Sequence, residues 1–226
     1  MGYGTGHRNT AESTDRPVGP RENDLRVSGV VLAGGESRRL GTRKALVKVG
    51  GIPLIARVLE PVRQVSSDVL VVTADPAPYQ HLGLPLVCDA WPGMGALGGI
   101  YSGLQMARYP RALVVACDMP FLNLALLRYM ISLAEDYDIV IPAPDGLFEP
   151  LHAIYSKACL APIESLLRAG CRRIADLLCH VHVRRLQKEE VDRFDPEGLA
   201  FFNVNTPEDL ARAQELAGSV DSALRG

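Results

Sequence analysis

Short runs of apolar residues with almost no polar alternation recur along this chain, separated by helical patterns. Val27–Ala33, Asp68–Thr73 (DVLVVT), Leu84–Cys88 (LPLVC), Ala112–Cys117 (ALVVAC) and Asp138–Pro142 (DIVIP) are such runs, and Pro53–Gln64, Leu97–Ala107 and Leu124–Ala134 carry helical spacing. A strand with one face in water alternates. A run that does not is buried on both faces, as in a parallel sheet covered by helices. Strands joined through helices cross over right-handed, so the sheet grows outward with helices on either side. The spacing predicts an α/β fold: a doubly wound, mostly parallel sheet with helices on both faces, in a single domain.

Beyond Pro142 the pattern is less regular. Leu151–Tyr155 and His180–Leu186 read as strands around the helices Lys157–Ala169 and Arg173–Leu178, and Phe201–Val204 as a last strand. Thr206-Pro207-Glu208-Asp209 opens the final helix, with Thr as N-cap, Pro at the first position and acids in the first turn. Residues 1–26 have no apolar period and read as a flexible tail, as do 219–226, which leaves 27–218 as the domain. With 24 Lys plus Arg against 26 Asp plus Glu, the net charge of −2 lacks the footprint of a nucleic-acid module. No apolar stretch approaches a membrane span or a secretory signal. Five scattered cysteines without a CxxC pair read as reduced thiols of a cytoplasmic protein.

Open α/β sheets bind ligands beyond the carboxyl ends of their strands, so the residues that follow each run matter most. After the first stands Gly34-Gly35-Glu36-Ser37-Arg38-Arg39-Leu40-Gly41-Thr42-Arg43-Lys44. Paired glycines bring backbone N–H groups close to a ligand, and Arg38, Arg39, Arg43, Lys44 and Lys48 oppose a single acid, Glu36. A polyphosphate is the natural counter-charge. The Lys-Ser/Thr ending of a P-loop is missing. Asp89 and Asp118 follow the third and fourth runs; beside a triphosphate, carboxylates need a divalent cation between, and Mg²⁺ is bound that way. Asp118 could alternatively cap the turn through Met119-Pro120. Gly93-Met94-Gly95-Ala96-Leu97-Gly98 spells a dinucleotide fingerprint, but Asp89-Ala90-Trp91-Pro92 separates it from its strand. His152 reads as a half-buried strand residue, and His180 with His182 as one exposed strand face.

These motifs together resemble the molybdenum cofactor guanylyltransferases, within the wider nucleotidyltransferases of Rossmann-like fold, over about residues 28–217. Leu32-Ala33-Gly34-Gly35-Glu36-Ser37-Arg38-Arg39-Leu40-Gly41-Thr42-Arg43-Lys44 resembles the family's opening motif, with Leu40 for its usual Met and Arg43 where an Asp often stands. Asp89–Ile100 resembles its Gly-rich third loop, with Ala96 for a Pro. Ala116–Phe121, Glu149–Tyr155 and Phe202–Leu210 are similar to its later segments. The resemblance implies transfer of GMP from GTP to the phosphate of molybdenum-molybdopterin, with pyrophosphate released and Mg²⁺ as cofactor. It implies Arg39, Lys44 and Asp118 as catalytic residues, and Leu32, Ala33, Gly34, Gly35, Lys44, Thr73, Asp89 and Asp118 at the nucleotide. Asp118 would hold the metal, and Asn203 and Asn205 would lie near the metal or the acceptor. No nucleic acid or membrane is implied; molybdoenzyme-maturation proteins are possible partners of a monomer or weak oligomer. A cytidylyltransferase on the same cofactor, a guanylyltransferase on another phosphorylated acceptor and a catalytically dead nucleotide-binding regulator are the alternatives.

Overall fold

A computed structural model describes residues 27–34 and 44–223. Gly35, Arg39 and the rest of the basic loop, like the 1–26 tail, lie outside the described residues. The first strand, β1 (Val27–Leu32), is buried along its whole length. After it come a short 3-10 turn at Lys44–Leu46 and a hairpin of β2 (Lys48–Val49) and β3 (Ile52–Pro53). Then follow α1 (Leu54–Val65), β4 (Asp68–Thr73), β5 (Leu86–Cys88), α2 (Gly95–Met106), β6 (Arg111–Ala116), α3 (Leu124–Ser132) and β7 (Ile139–Pro142). The remainder comprises β8 (His152–Ser156), α4 (Leu160–Arg168), α5 (Ile174–Leu177), β9 (Val183–Leu186), α6 (Lys188–Val191) and α7 (Pro207–Ala223). The last helix continues into the stretch read from sequence as a C-terminal tail.

Seven strands form one sheet in the order β5-β4-β1-β6-β8-β7-β9. Every pairing is parallel except those of β8, which runs antiparallel to β6 and β7. No helix lies between β7 and β8, so the chain has no crossover with which to return in the same direction. Side chains alternate between two cores. Val27, Val31, Leu113 and Val115 face α1 and α3. Val30, Leu32, Ala112 and Val114 face α2, α4 and α5. The sheet is therefore wound on both sides of β1, as the sequence predicts. Glycines let helices seat directly on β1. A Cβ on Gly29 would come within 2.4 Å of Val62, and one on Gly103 within 2.4 Å of Val30.

A third, smaller core joins the hairpin region after Lys44 to the last helix. Val49, Leu54, Val204, Ala213 and Ala217 pack together there. The Gln214 side chain donates to Lys48 O at 2.8 Å and accepts from Gly50 N at 2.9 Å. Helix α7 thus fixes the hairpin that follows Lys44. One expected strand is absent: Leu199–Phe201 forms a 3-10 turn, and among the described residues the segment after it joins the end of β6 through one backbone bond, Val204 N to Asp118 O at 3.0 Å. Strand β8 already occupies the place beside β6, so no free edge remains there for a ladder. The expected strand His180–Leu186 shortens to Val183–Leu186, which leaves both histidines outside it.

Candidate active site

Strand β1 has β4 on one side and β6 on the other; at such a reversal of winding, open α/β sheets hold their ligand crevice at the carboxyl ends of the strands. Cys117 N donates to Leu32 O at 3.1 Å, so the ends of β1 and β6 are tied side by side. Asp118 follows at the lip of that crevice. The 3-10 turn carrying Lys44 meets it from one direction and the segment before α7 from another. The Lys44 ammonium donates to Asp118 Oδ2 and, at 2.6 Å, to Asn205 Oδ1. The chain separations are 74 and 161 residues, so only the fold brings these groups together. Lys44 and Asp118 are 14% and 17% exposed, enough to meet a ligand and little enough for water to screen the pair weakly. Asp118 Oδ1 is buried and has no hydrogen-bond partner among the described residues. An anionic oxygen left so costs free energy until something cationic or protic reaches it.

Gly34 stands exposed at the end of β1, and among the described residues a Cβ there would meet nothing within 4 Å. No positive φ demands glycine at this position. Just before it, Ala33 N donates to Val72 O at 2.8 Å, and Ala33 O lies 3.3 Å from Thr73 Oγ1 and 3.5 Å from the Tyr79 hydroxyl. The Leu32 and Ala33 backbone groups thus tie the end of β1 to its neighbours on both sides. Thr73 is buried, with its hydroxyl on the Ala33 and Asp75 carbonyls.

The third loop is built differently. Gly93 and Gly95 hold left-handed φ values of 80° and 67°. Gly98 is pinned where a Cβ would lie 2.9 Å from Trp91 O and 3.1 Å from Asp89 Oδ1. Asp89 Oδ1 accepts from Trp91 N at 2.9 Å and from Ser102 Oγ at 3.1 Å. One oxygen of this carboxylate therefore organises the loop. Asn203 is similarly turned inward, its amide donating to Phe201 O at 2.9 Å. Asn205 alone of the two asparagines reaches Lys44. What sequence reading missed is Asp209, whose Oδ2 accepts from Asn205 N and Thr206 N, each at 2.9 Å. Its spacing from Thr206 is the signal, which in sequence reads equally as an ordinary helix start.

His152 departs from expectation: it is fully buried, not half-buried. Its ring meets Phe201 edge-on at 5.0 Å, and neither ring nitrogen has a hydrogen-bond partner among the described residues. Burial drives its pKa down to about 4, and the nearby Ala200 backbone opposes this without closing a bond. The Cys117 thiol is pushed up to about 12, by burial first and by Asp118 second, which makes it inert as a nucleophile. His180 and His182 are exposed, and the His182 N–H donates to Asp138 Oδ2 at 2.9 Å. Among the described residues no three His, Cys, Asp or Glu side chains gather into a metal cluster, and no helix is long and apolar enough to cross a membrane.

The chain has relatives in sequence and in structure. The model of a family described as the MobA-like NTP transferase domain matches residues 29–186. A protein of Pelotomaculum thermopropionicum, named a probable molybdenum cofactor guanylyltransferase, is 40% identical over 193 residues, which cover 85% of this chain and 94% of that protein. The molybdenum cofactor guanylyltransferase of Desulfosudis oleivorans is 37% identical, over 83% of this chain and 94% of its own. Among solved structures, the molybdopterin-guanine dinucleotide biosynthesis protein A of Archaeoglobus fulgidus superposes with a TM-score of 0.76 at 31% identity, covering 85% of this chain and all of that one.

Proposed function

The chain belongs to the MobA-like NTP transferase family, and on that premise we propose that it is a molybdenum cofactor guanylyltransferase. It moves GMP from GTP to the terminal phosphate of molybdenum-molybdopterin and releases pyrophosphate. The observation that carries this reading is the meeting of Lys44, Asp118 and Asn205 at the mouth of the β1–β6 crevice. In transfer to an α-phosphorus, negative charge shifts onto the leaving pyrophosphate while the acceptor phosphate approaches in line. A protein accelerates this by positioning and by neutralising charge.

Each residue has a part in that scheme. The Gly34 N–H, with Gly35 beyond the described residues, lies along the polyphosphate. Lys44 releases Asp118 and turns its ammonium to the α-phosphate and the leaving group, where Arg39 is its expected companion. Asp118 fits a magnesium ion, because its buried Oδ1 lacks a partner among the described residues and a lone carboxylate suits a cation that keeps waters and phosphate oxygens as its other ligands. Asn205 Oδ1, which already faces a cation in Lys44, would sit beside it. Bound there, the ion would neutralise phosphate charge that the carboxylate alone repels. Gly34 adds no side chain at the end of β1 and so leaves room for a purine, which favours GTP over CTP.

The test is pyrophosphate release with the molybdenum cofactor as acceptor and GTP, CTP, ATP or UTP as donor, with and without magnesium. GTP should be preferred and magnesium required. Lys44→Ala should lose at least about 100-fold in turnover, the usual loss when a preorganised charge at the transition state is removed. Preference for CTP would assign the pyrimidine alternative instead, and unchanged turnover in the variant would remove Lys44 from the site.

A further inference from the structure

The segment that delivers Asn205 is held at both ends by carboxylates. At its start, the Asp195 side chain accepts from Leu199 N at 3.1 Å and from Ala200 N at 2.7 Å, and this carboxylate is buried. At its end, Thr206 and Asp209 form a reciprocal cap on α7: Asp209 N donates to Thr206 Oγ1 at 3.1 Å, and Thr206 N to Asp209 Oδ2 at 2.9 Å. That pair alone would be an ordinary helix start. The same Oδ2 also accepts from Asn205 N at 2.9 Å, one residue outside the box. This added bond fixes the backbone of the residue whose side chain grips Lys44. A second bond, Val204 N to Asp118 O, fixes the residue before it to the backbone of the other partner.

We propose that Asp209 is a positioning residue for the Lys44 ammonium, acting through Asn205. The carboxylate holds the Asn205 backbone, the Asn205 amide oxygen holds the ammonium, and the ammonium is kept facing Asp118 at the crevice. The Asp209 pKa is held below the ordinary carboxylate value, first by the Asn205 N–H, so the acceptor is charged when it does this. Nothing in the chemistry requires Asp209 to touch a ligand. Its effect on turnover rests on the transferase reading; its effect on Lys44 does not.

The experiment keeps these two apart. Asp209→Ala, Asp209→Asn, Asn205→Ala and the double Asn205→Ala/Asp209→Ala chains are compared with wild type below their melting temperatures. Acylation of the Lys44 Nζ by a water-soluble reagent is followed by mass spectrometry. Asp209→Ala should speed it several-fold, the double variant should be no faster than Asn205→Ala alone, and Asp209→Asn, which keeps an acceptor oxygen, should stay near wild type. Turnover should follow the same order, with kcat about 10-fold down in Asp209→Ala, mostly recovered in Asp209→Asn, and no further loss on adding it to Asn205→Ala. If Asp209→Ala lowers only the melting temperature and leaves Lys44 labelling unchanged, the residue is a helix cap and nothing more. Equal effects of Asn and Ala at 209 would make its role one of charge and overturn positioning. If wild type turns over no nucleotide while labelling behaves as expected, the function fails and the positioning stands.

Discussion

Gly34 shows how one residue separates folding from ligand choice. It is exposed, has no positive φ, and among the described residues no atom lies within 4 Å of a would-be Cβ. Alanine there should leave the melting temperature within about 1 °C, since an unstrained surface change usually costs under 0.5 kcal/mol. In the complex the methyl would stand where the base or phosphates pack, so KM for GTP should rise about 10-fold while CTP is affected less. A GTP KM equal to wild type would place the nucleotide elsewhere. Asp118 and Lys44 were legible because residues just past buried strands meet at the sheet's carboxyl edge. The direction of a side chain was not. Thr73 and Asp89 sit where their positions in sequence suggest, yet Thr73 is turned onto the Ala33 carbonyl and Asp89 onto the Trp91 N–H. Those hydrogen bonds depend on partners that only the folded loops supply.

Among the elements, α2 owes its place to a missing side chain. Gly103 lets it approach β1 until a Cβ would overlap Val30 Cγ1 at 2.4 Å, and Val30 is itself fully buried between strands. Gly103→Ala removes a poor helix former and so gains roughly 1 kcal/mol of propensity. The overlap costs more, about 1–3 kcal/mol for overpacking a tight core, so the variant should melt several degrees lower despite its better helix. A higher melting temperature would mean that the helix shifts outward freely. Burial on both faces made β1, β4, β6 and β7 readable, since their runs have no alternative resting place. The β2–β3 hairpin was missed although Gly50 and Gly51, at φ 57° and 79°, form the two-residue turn that such hairpins favour. Its strands are too short to show a period. Strand β8 was read as a strand, but its direction was invisible, because that depends on the absence of a helix before it. Phe201–Val204 misled for the opposite reason: an apolar run looks like a strand whether or not a free edge awaits it.

At the scale of the whole molecule, the pH dependence of stability should carry the signature of His152. The ring is buried on the same face of β8 as the core residue Ile154, against Phe201 of the segment that leads to Asn205, and its nitrogens are without partners among the described residues. Unfolded, it titrates near 6.5; folded, near 4, because burial penalises the cation. Between those values the unfolded chain binds more protons than the folded one, so stability is fully present above about pH 6.5 and lost as pH falls toward 4. From pH 7 to pH 5 the loss from this residue is about 2 kcal/mol. Phenylalanine would keep a ring against Phe201 and remove two unpaired nitrogens, a change worth up to about 1–3 kcal/mol in the folded state. His152→Phe should therefore be at least as stable as wild type at pH 7 and should lose less on acidification. Denaturant titrations of both chains at pH 7, 6 and 5 measure the difference directly. Parallel losses in the two proteins would show that His152 is protonated or hydrogen-bonded in the native state. The segment before α7 would then be anchored by a charge instead of by apolar packing.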